Sequence, residues 1–197
     1  TRSDVEKYTA IPFLGDVPRS VSSDKIININ SRSSAAEALR IVRTNVEFLF
    51  NNVTHNLAKT IFVTSTFPKE GKTFLSVNIA ATIALSGKKV LLIGMDVRNP
   101  RVHEYVNVSE RGLTDYLVGA NNDISAFITK QDAFEQFYVL PCGIIPPNPA
   151  ELLMGKKVDE LFEELKQIYD YIIVDTSPVG LVTDTFVIAK QADCFLY

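Results

Sequence analysis

The stretch that decides the fold is residues 60–76, which read TIFVTSTFPKEGKTFLS. Its first part, IFVT at 61–64, is a short apolar, β-branched run of the kind found in buried parallel strands. A turn containing Pro68 and Gly71 follows. Apolar residues then recur at the spacing of three and four that predicts a helix, at Leu75, Ile79, Ala80, Ile83 and Ala84. Strand, turn and helix together are the context that a phosphate-binding loop requires.

The turn itself matches such a loop, with Thr66 in the place of the usual first glycine. Unpaired backbone N–H groups at a helix start bind phosphate oxygens. Lys72 adds a positive charge for the β- and γ-phosphates, and the Thr73 hydroxyl can coordinate Mg²⁺. The alternative is a loop that contains Gly-Lys-Thr by chance, which the flanking strand and helix disfavour. The predicted nucleotide-binding residues are Thr66, Phe67, Pro68, Lys69, Glu70, Gly71, Lys72, Thr73, Phe74 and Arg98.

Composition places the chain among ordinary α/β domains. Its 197 residues are 46% hydrophobic and 22% charged, enough for one sizeable core. The net charge of −3 gives no electrostatic reason to expect nucleic-acid binding. Cys142 and Cys194 have neither metal-ligand spacing nor a disulfide framework around them, which favours a reducing cytoplasm. No apolar run approaches the roughly 18 residues of a membrane span, and the final residues, 193–197, resemble an interrupted strand, so we expect a piece of a longer protein.

Strands and helices alternate along the rest of the chain. We expect an N-terminal extended segment over residues 1–34, lying on a domain formed by residues 35–197. Helices are predicted at about 35–51, 112–119, 150–169 and 183–191, and buried strands at 90–95, 137–141 and 171–174. This alternation predicts a three-layer α/β fold, a mostly parallel sheet with helices on both faces, as in P-loop NTPases.

Two carboxylates follow buried strands. Asp96 comes after the strand at 90–95, and Asp175 after the strand at 171–174. Because ligands of parallel sheets bind beyond the carboxyl ends of the strands, both are expected beside the phosphate loop. Thr73, Asp96 and Asp175 are the candidate metal ligands, and Lys72, Asp96 and Asp175 the candidate catalytic residues. A carboxylate at a strand end is also a common helix cap, which is the competing interpretation of each alone.

Glu37, Arg40 and Arg43 lie beside the apolar stripe of the first predicted helix. Periodicity alone favours a solvated, self-paired surface for these charges.

The chain resembles the bacterial tyrosine kinases of the polysaccharide co-polymerase type over nearly its whole length. The matching stretches are EALRIVRTN at 37–45, TSTFPKEGKT at 64–73, DVRNPRVH at 96–103, GLT at 112–114, PPNPAELL at 146–153 and VDTSP at 174–178. The resemblance implies a Walker A loop at 66–73, an additional A′ motif at 91–98 and a Walker B motif at 172–175. It also implies that Glu37, Arg40 and Arg43 assemble subunits into a ring, which changes the interpretation of these charges to an interface.

The sequence departs from the family pattern in three places. Gly94 stands where the A′ motif usually has its first acid, so Asp96 alone carries that role. Lys69 stands where glycine is common, and the family's C-terminal tyrosine cluster is not in this chain; Tyr197 is not a candidate for it.

The resemblance implies an ATP-dependent protein-tyrosine kinase that uses Mg²⁺ and controls exopolysaccharide or capsule synthesis and export. Its implied partners are the tyrosine-rich tail of a neighbouring subunit and a membrane-spanning co-polymerase segment, which would tether this cytoplasmic domain to the inner membrane. Two alternatives stay open. One is an ATPase switch of the partition or division-site type, against which Phe67 counts because those proteins carry a lysine there. The other is a nucleotide-binding module without kinase activity, for which Gly94 is the argument.

Overall fold

A computed structural model describes residues 7–19, 25–51, 57–120 and 123–197. It contains a six-stranded sheet in the order β3-β4-β2-β5-β1-β6, parallel except for the antiparallel β3–β4 pair. The strands are β1 (Lys59–Val63), β2 (Val90–Gly94), β3 (Thr129–Lys130), β4 (Phe137–Leu140), β5 (Tyr171–Asp175) and β6 (Cys194–Leu196). The helices are α1 (Ser34–Phe50), α2 (Lys72–Ala84), α3 (Leu113–Val118), α4 (Pro149–Leu153), α5 (Lys156–Ile168) and α6 (Asp184–Val187). Short 3₁₀ turns occur at Val102–Glu104, Ile124–Phe127 and Ala189–Gln191.

Helices cover both faces of the sheet, which confirms the predicted three-layer α/β fold. Alternate residues of each strand point to opposite faces. In β1, Ile61 and Val63 therefore pack with α1 and α2, whereas Phe62 packs with α5 on the other side. Two clusters of buried apolar side chains thus lie on opposite faces of the sheet. A shift of a strand by one residue would move its side chains to the wrong cluster, so this packing fixes the strand register.

Helix α2 is buried almost all round, more than its predicted apolar stripe implies. Every residue from Ser76 to Ala84 is buried. The reason is that α1 packs over the face of α2 that points away from the sheet, and Arg43 of α1 donates to the carbonyl of Thr82 at 3.2 Å. Periodicity could not predict this second layer, because both faces of α2 carry small or apolar side chains.

Several element boundaries differ from the prediction. The helix predicted at 150–169 is two helices, because Gly155 adopts an extended conformation as the N-cap of α5. The helix predicted at 183–191 is only the short α6 followed by a 3₁₀ turn. Strand β3 has two residues, too few for a periodic signal. The start of α1 agrees with the prediction within one residue, since the Ser33 hydroxyl accepts from the amide of Ala36 and caps the helix.

The predicted extended segment at 1–34 lies partly outside the described residues, at 1–6 and 20–24. Within the described part, Leu14, Val17 and Ile26 pack against the α1 side of the core. Asn45 of α1 donates to the carbonyl of Leu14 at 2.8 Å. The domain boundary at residue 34 stays a prediction. Within the same described ranges, no helix has both the length and the apolar character to span a bilayer.

Candidate nucleotide-binding and phosphoryl-transfer site

The loop between β1 and α2 is shaped by two residues with left-handed backbone. Gly71, the N-cap of α2, has φ 93°, and Lys69 has φ 69°. Only glycine adopts such angles freely, so Lys69 holds a conformation that costs roughly 1–2 kcal/mol for an ordinary residue. This strain gives a physical reason for glycine at this position in the family. The loop leaves the first amides of α2 free to bind an anion.

A second loop, residues 176–182, braces the phosphate loop. The amide of Gly180 donates to the carbonyl of Thr66 at 3.0 Å, and that of Val179 donates to Ser65 at 2.9 Å. A Cβ at Gly180 would lie 2.5 Å from the Thr66 carbonyl oxygen, so only glycine permits this approach. Thr66, in the place of the usual glycine, therefore contributes its backbone to a contact that depends on Gly180.

Lys72 lies between the two acidic strand ends. Its Nζ is 2.8 Å from Asp96 Oδ2 and 3.8 Å from Asp175 Oδ1; both carboxylates are buried, and the lysine side chain is only 9% exposed. The parallel register places Gly94 of β2 opposite Asp175 of β5, so Asp175 ends its strand and Asp96 lies just beyond the end of the neighbouring strand. The predicted convergence of the loop lysine with both acids is what the structure contains.

Asp175 is held by hydroxyls from the first turns of α2. Thr73 donates to its Oδ2 at 2.8 Å and Ser76 to its Oδ1 at 3.0 Å. Burial raises the pKa of Asp175, and this effect is opposed by Lys72 and by the two hydroxyls. Sequence reasoning missed Ser76, although its position one turn after Thr73 indicates the same helix face.

The oxygen donors suit a magnesium ion. Mg²⁺ prefers one or two carboxylates, with waters and phosphate oxygens completing the octahedron. Thr73, Asp96 and Asp175 offer such a partial set beside the phosphate loop. No cluster of three or more His, Cys, Asp or Glu side chains that could hold a metal ion occurs in the described part of the chain.

Asp96 has its own anchors. Its Oδ1 accepts from the Ser177 hydroxyl at 3.0 Å and from the amide of Asn99 at 3.1 Å, while Oδ2 faces Lys72. Because both oxygens are engaged, the carboxylate has a fixed orientation.

Arg98 forms a bidentate ion pair that sequence reasoning did not find. Its Nε and Nη2 lie 2.6 and 3.0 Å from the carboxylate oxygens of Asp184, at the start of α6. The hydrogen bonds that Arg98 donates to Asp184 raise the pKa of Arg98, so the guanidinium stays charged. An acid in the first turn of a helix is expected from the helix dipole alone, so no sequence signal indicates a partner 86 residues away.

Two cavities flank the loop. The larger, about 850 Å³, lies between the loop, Tyr105 and the segment Gly15 to Arg19, and is also lined by Tyr197. The smaller, about 350 Å³, is lined by Lys72, Thr73, Asp96, Arg98, Ser177 and others.

The Tyr197 hydroxyl contacts the Thr66 hydroxyl directly. Lys69 and Phe74 line both cavities, and Pro68 lines the smaller one, whereas Phe67 is largely exposed and its amide donates to Glu70 at 3.0 Å.

Gly94 borders a third cavity of about 140 Å³ behind Asp96 and Asp175. A Cβ at Gly94 would lie 3.3 Å from the Cys142 amide nitrogen and 3.4 Å from a Val102 methyl, which is a tight fit. Burial raises the pKa of the Cys142 thiol to about 12, so this thiol is inert at neutral pH.

Glu37, Arg40 and Arg43 lie on α1 and are not among the residues that line these cavities. Arg40 pairs with Glu37 and donates to the carbonyl of Ser31 at 2.8 Å. Their side chains are unequally exposed, 63% for Glu37 against 28% for Arg40 and 24% for Arg43. The two arginines are thus partly packed within the chain, and the simple solvated face favoured by periodicity describes only Glu37.

The fold and the loop define a P-loop nucleotide-binding domain, and the sequence family described as AAA domain matches residues 58–195. The chain belongs to this family and, within it, to the bacterial tyrosine-protein kinases, as the following relatives show. It is 35% identical over 164 residues to tyrosine-protein kinase wzc of Salmonella typhimurium, a match covering 83% of this chain and 22% of that protein. It is 41% identical over 137 residues to tyrosine-protein kinase CpsD of Streptococcus pneumoniae, covering 68% of this chain and 60% of that one.

A solved structure gives the same assignment. The kinase domain of the Escherichia coli tyrosine kinase ETK superposes with a TM-score of 0.78 at 36% identity, covering 85% of this chain and 64% of that domain. The chain spans only about a quarter of the longer curated relatives.

Proposed function

We propose that this domain transfers the γ-phosphoryl group of ATP to tyrosine. The observation that carries the proposal is the position of Lys72 between Asp96 and Asp175 at the start of α2. A lysine on a phosphate loop, flanked by carboxylates from two neighbouring strands, provides charge stabilisation, metal ligands and a proton acceptor in one place.

Each of these residues has a separate role in the proposed reaction. The loop amides and Lys72 would bind the β- and γ-phosphates, and Thr73 and Asp175 are the residues that would hold a Mg²⁺ ion. Bound Mg²⁺ would supply additional positive charge to the phosphates. Asp96 accepts the proton of the acceptor phenol as its oxygen forms the new bond to Pγ, while the bond from Pγ to the bridging oxygen breaks and ADP leaves.

The same proposal includes the setting of the whole protein. The acceptor is the tyrosine-rich tail of a neighbouring subunit, and Glu37, Arg40 and Arg43 contribute to the contact between subunits in a ring. The domain works on the cytoplasmic side of the inner membrane, attached to a membrane-spanning co-polymerase segment or partner, and regulates exopolysaccharide or capsule export. What supports this is the similarity to tyrosine-protein kinases.

Two other functions differ from this one by specific residues. An ATPase switch of the partition type would need a lysine at Phe67 to cross into its partner, and the exposed Phe67 offers none. A nucleotide-binding module without catalysis is favoured by Gly94, which leaves the A′ strand with one acid.

Radiolabelled γ-phosphate transfer tests the proposal, using the chain extended through a C-terminal tyrosine cluster. The wild-type protein is expected to label itself on tyrosine, and Lys72→Ala to lose the label. Because Lys72 pairs with two buried carboxylates, its removal should also lower the melting temperature, so circular dichroism at the assay temperature must show that the variant is folded. Labelling of Lys72→Ala at the wild-type rate would remove the phosphate loop from the mechanism. Hydrolysis of ATP without tyrosine labelling would favour the switch, and binding without either reaction would favour the module.

A further inference from the structure

Asp184 is a buried acid that has no role in the proposed mechanism. Its side chain is 1% exposed, yet it accepts two charge-assisted hydrogen bonds, at 2.6 and 3.0 Å, from Arg98. Its partner Arg98 is much more exposed. The Arg98 side chain is 44% exposed and lines the smaller cavity together with Lys72 and Asp96. One member of the pair is therefore an anchor, and the other faces the site.

Stability alone does not account for this arrangement. A buried ion pair seldom stabilises a protein more than an apolar pair of similar size, since each charge loses its hydration. What this pair adds is a fixed position for the guanidinium. A bidentate contact sets both the place and the plane of an arginine, which a single hydrogen bond does not.

The anchor begins helix α6, just after the loop 176–182 that braces the phosphate loop. Thr185, next to Asp184, donates to the carbonyl of Ser177 at 2.8 Å, and the hydroxyl of Ser177 donates to Asp96. The segment 176–185 is thus tied to the loop after β2 at two points, through Ser177 to Asp96 and through Asp184 to Arg98. These ties form one wall of the smaller cavity.

The guanidinium keeps donors for a ligand. Arginine has five N–H donors, and the contact with Asp184 uses Nε and one hydrogen of Nη2. The remaining donors are on the Arg98 guanidinium, and Arg98 lines the same cavity as Lys72 and Asp96. Preorganised donors of this kind act most strongly on charge that develops during reaction.

We propose that Asp184 is a positioning residue of the phosphoryl-transfer site, which holds Arg98 so that its free donors bind the phosphoryl group during transfer. The inference rests on the proposed kinase function for the nature of the reaction. It predicts a specific pattern: loss of Asp184 weakens binding of a mimic of the transferred phosphoryl group much more than binding of ADP.

Fluorescent ADP with Mg²⁺, titrated with and without aluminium fluoride, measures this difference. Aluminium fluoride occupies the position of the phosphoryl group in transfer, so it should raise the affinity of the wild-type domain for ADP. In Asp184→Asn, this gain in affinity should fall at least tenfold, while the affinity for ADP alone stays within threefold. Asp159→Asn is the control, because it removes an ion pair with Lys190 (2.7 Å) that does not line the cavity.

A wild-type response to aluminium fluoride in Asp184→Asn would overturn the inference, as would an equal loss of ADP affinity. Should Asp184→Asn fail to fold, Arg98→Lys decides, since it keeps a positive charge for Asp184 but lacks the bidentate geometry and the free donors. A full response in Arg98→Lys would overturn the inference as well. Absence of tyrosine labelling in the wild-type protein, with the response to aluminium fluoride intact, would instead overturn the proposed kinase function alone.

Discussion

The ammonium group of Lys72 lies 2.8 Å from Asp96 and 3.8 Å from Asp175, so it forms an ion pair with both acids. A phosphate group that binds the same ammonium group competes with Asp96 for it. The carboxylate that accepts the proton in the proposed reaction is therefore also the group that competes with nucleotide for the lysine.

Asp96→Asn separates these two roles. We expect the rate of phosphotransfer to fall at least about 100-fold, the usual range for loss of a general base. Affinity for ADP without Mg²⁺ should rise by roughly three- to tenfold, because Lys72 no longer has to break a buried ion pair. Fluorescent ADP titration and γ-phosphate transfer measure the two effects. A wild-type rate would leave Asp175 to carry the chemistry alone.

The convergence of Lys72, Asp96 and Asp175 could be predicted because apolar runs mark parallel strands, and parallel strands present their carboxyl ends on one edge. The Arg98–Asp184 contact could not, since it depends on how the loop after β5 folds back toward the loop after β2. The left-handed backbone of Lys69 is equally invisible in sequence, because lysine itself has no preference for it. Local pattern thus predicted the strand ends, and long-range loop contacts required the structure.

Gly94 departs from the family pattern, and the structure shows how little space a side chain would have at this position. Gly94→Ala should cost about 1 kcal/mol, because its Cβ would press on the Cys142 backbone and on Val102. Gly94→Asp should lower the melting temperature further without Mg²⁺, since a third carboxylate would be buried near Asp96 and Asp175. Added Mg²⁺ with ADP should restore most of that difference. Equal melting temperatures for the two variants would show that the cavity behind Asp96 hydrates the new carboxylate fully.

Lys69→Gly tests the strain in the phosphate loop. Relief of the left-handed conformation, less the added freedom of the unfolded chain, should stabilise the domain by roughly 0.5–1 kcal/mol. Thermal unfolding should then shift upward by roughly 1–4 °C. Lys69→Ala is the matched control, since it removes the same charge and keeps the strain. The two variants should bind ADP equally but differ in melting temperature, and equal melting temperatures would argue against strain at this position.

Gly180→Ala tests the brace between the two loops. Its Cβ would overlap the Thr66 carbonyl oxygen, so the loop 176–182 must move away from the phosphate loop. We expect a loss of about 1–3 kcal/mol in stability and about tenfold in ADP affinity. Gly155→Ala, at the start of the remote helix α5, should leave ADP affinity unchanged. Titration of both variants with fluorescent ADP would contradict the brace if Gly180→Ala bound as tightly as the wild type.

The last prediction concerns assembly, where packing of Arg40 and Arg43 within the chain complicates a simple triple substitution. Arg43 donates to the carbonyl of Thr82 on α2, so Arg43→Ala should lower the melting temperature of the monomer itself by roughly 2–4 °C for each kcal/mol lost.

Glu37→Ala with Arg40→Ala removes the exposed acid and its partner and disturbs α2 less. At a subunit contact these charges lose water, and truncation there costs roughly 2–5 kcal/mol of association, against roughly 0–1 kcal/mol for exposed pairs. The double variant should therefore shift sedimenting mass toward monomer, with little change in melting temperature and with less tyrosine labelling in trans. An unchanged mass distribution at every concentration would return Glu37 and Arg40 to a role within one chain.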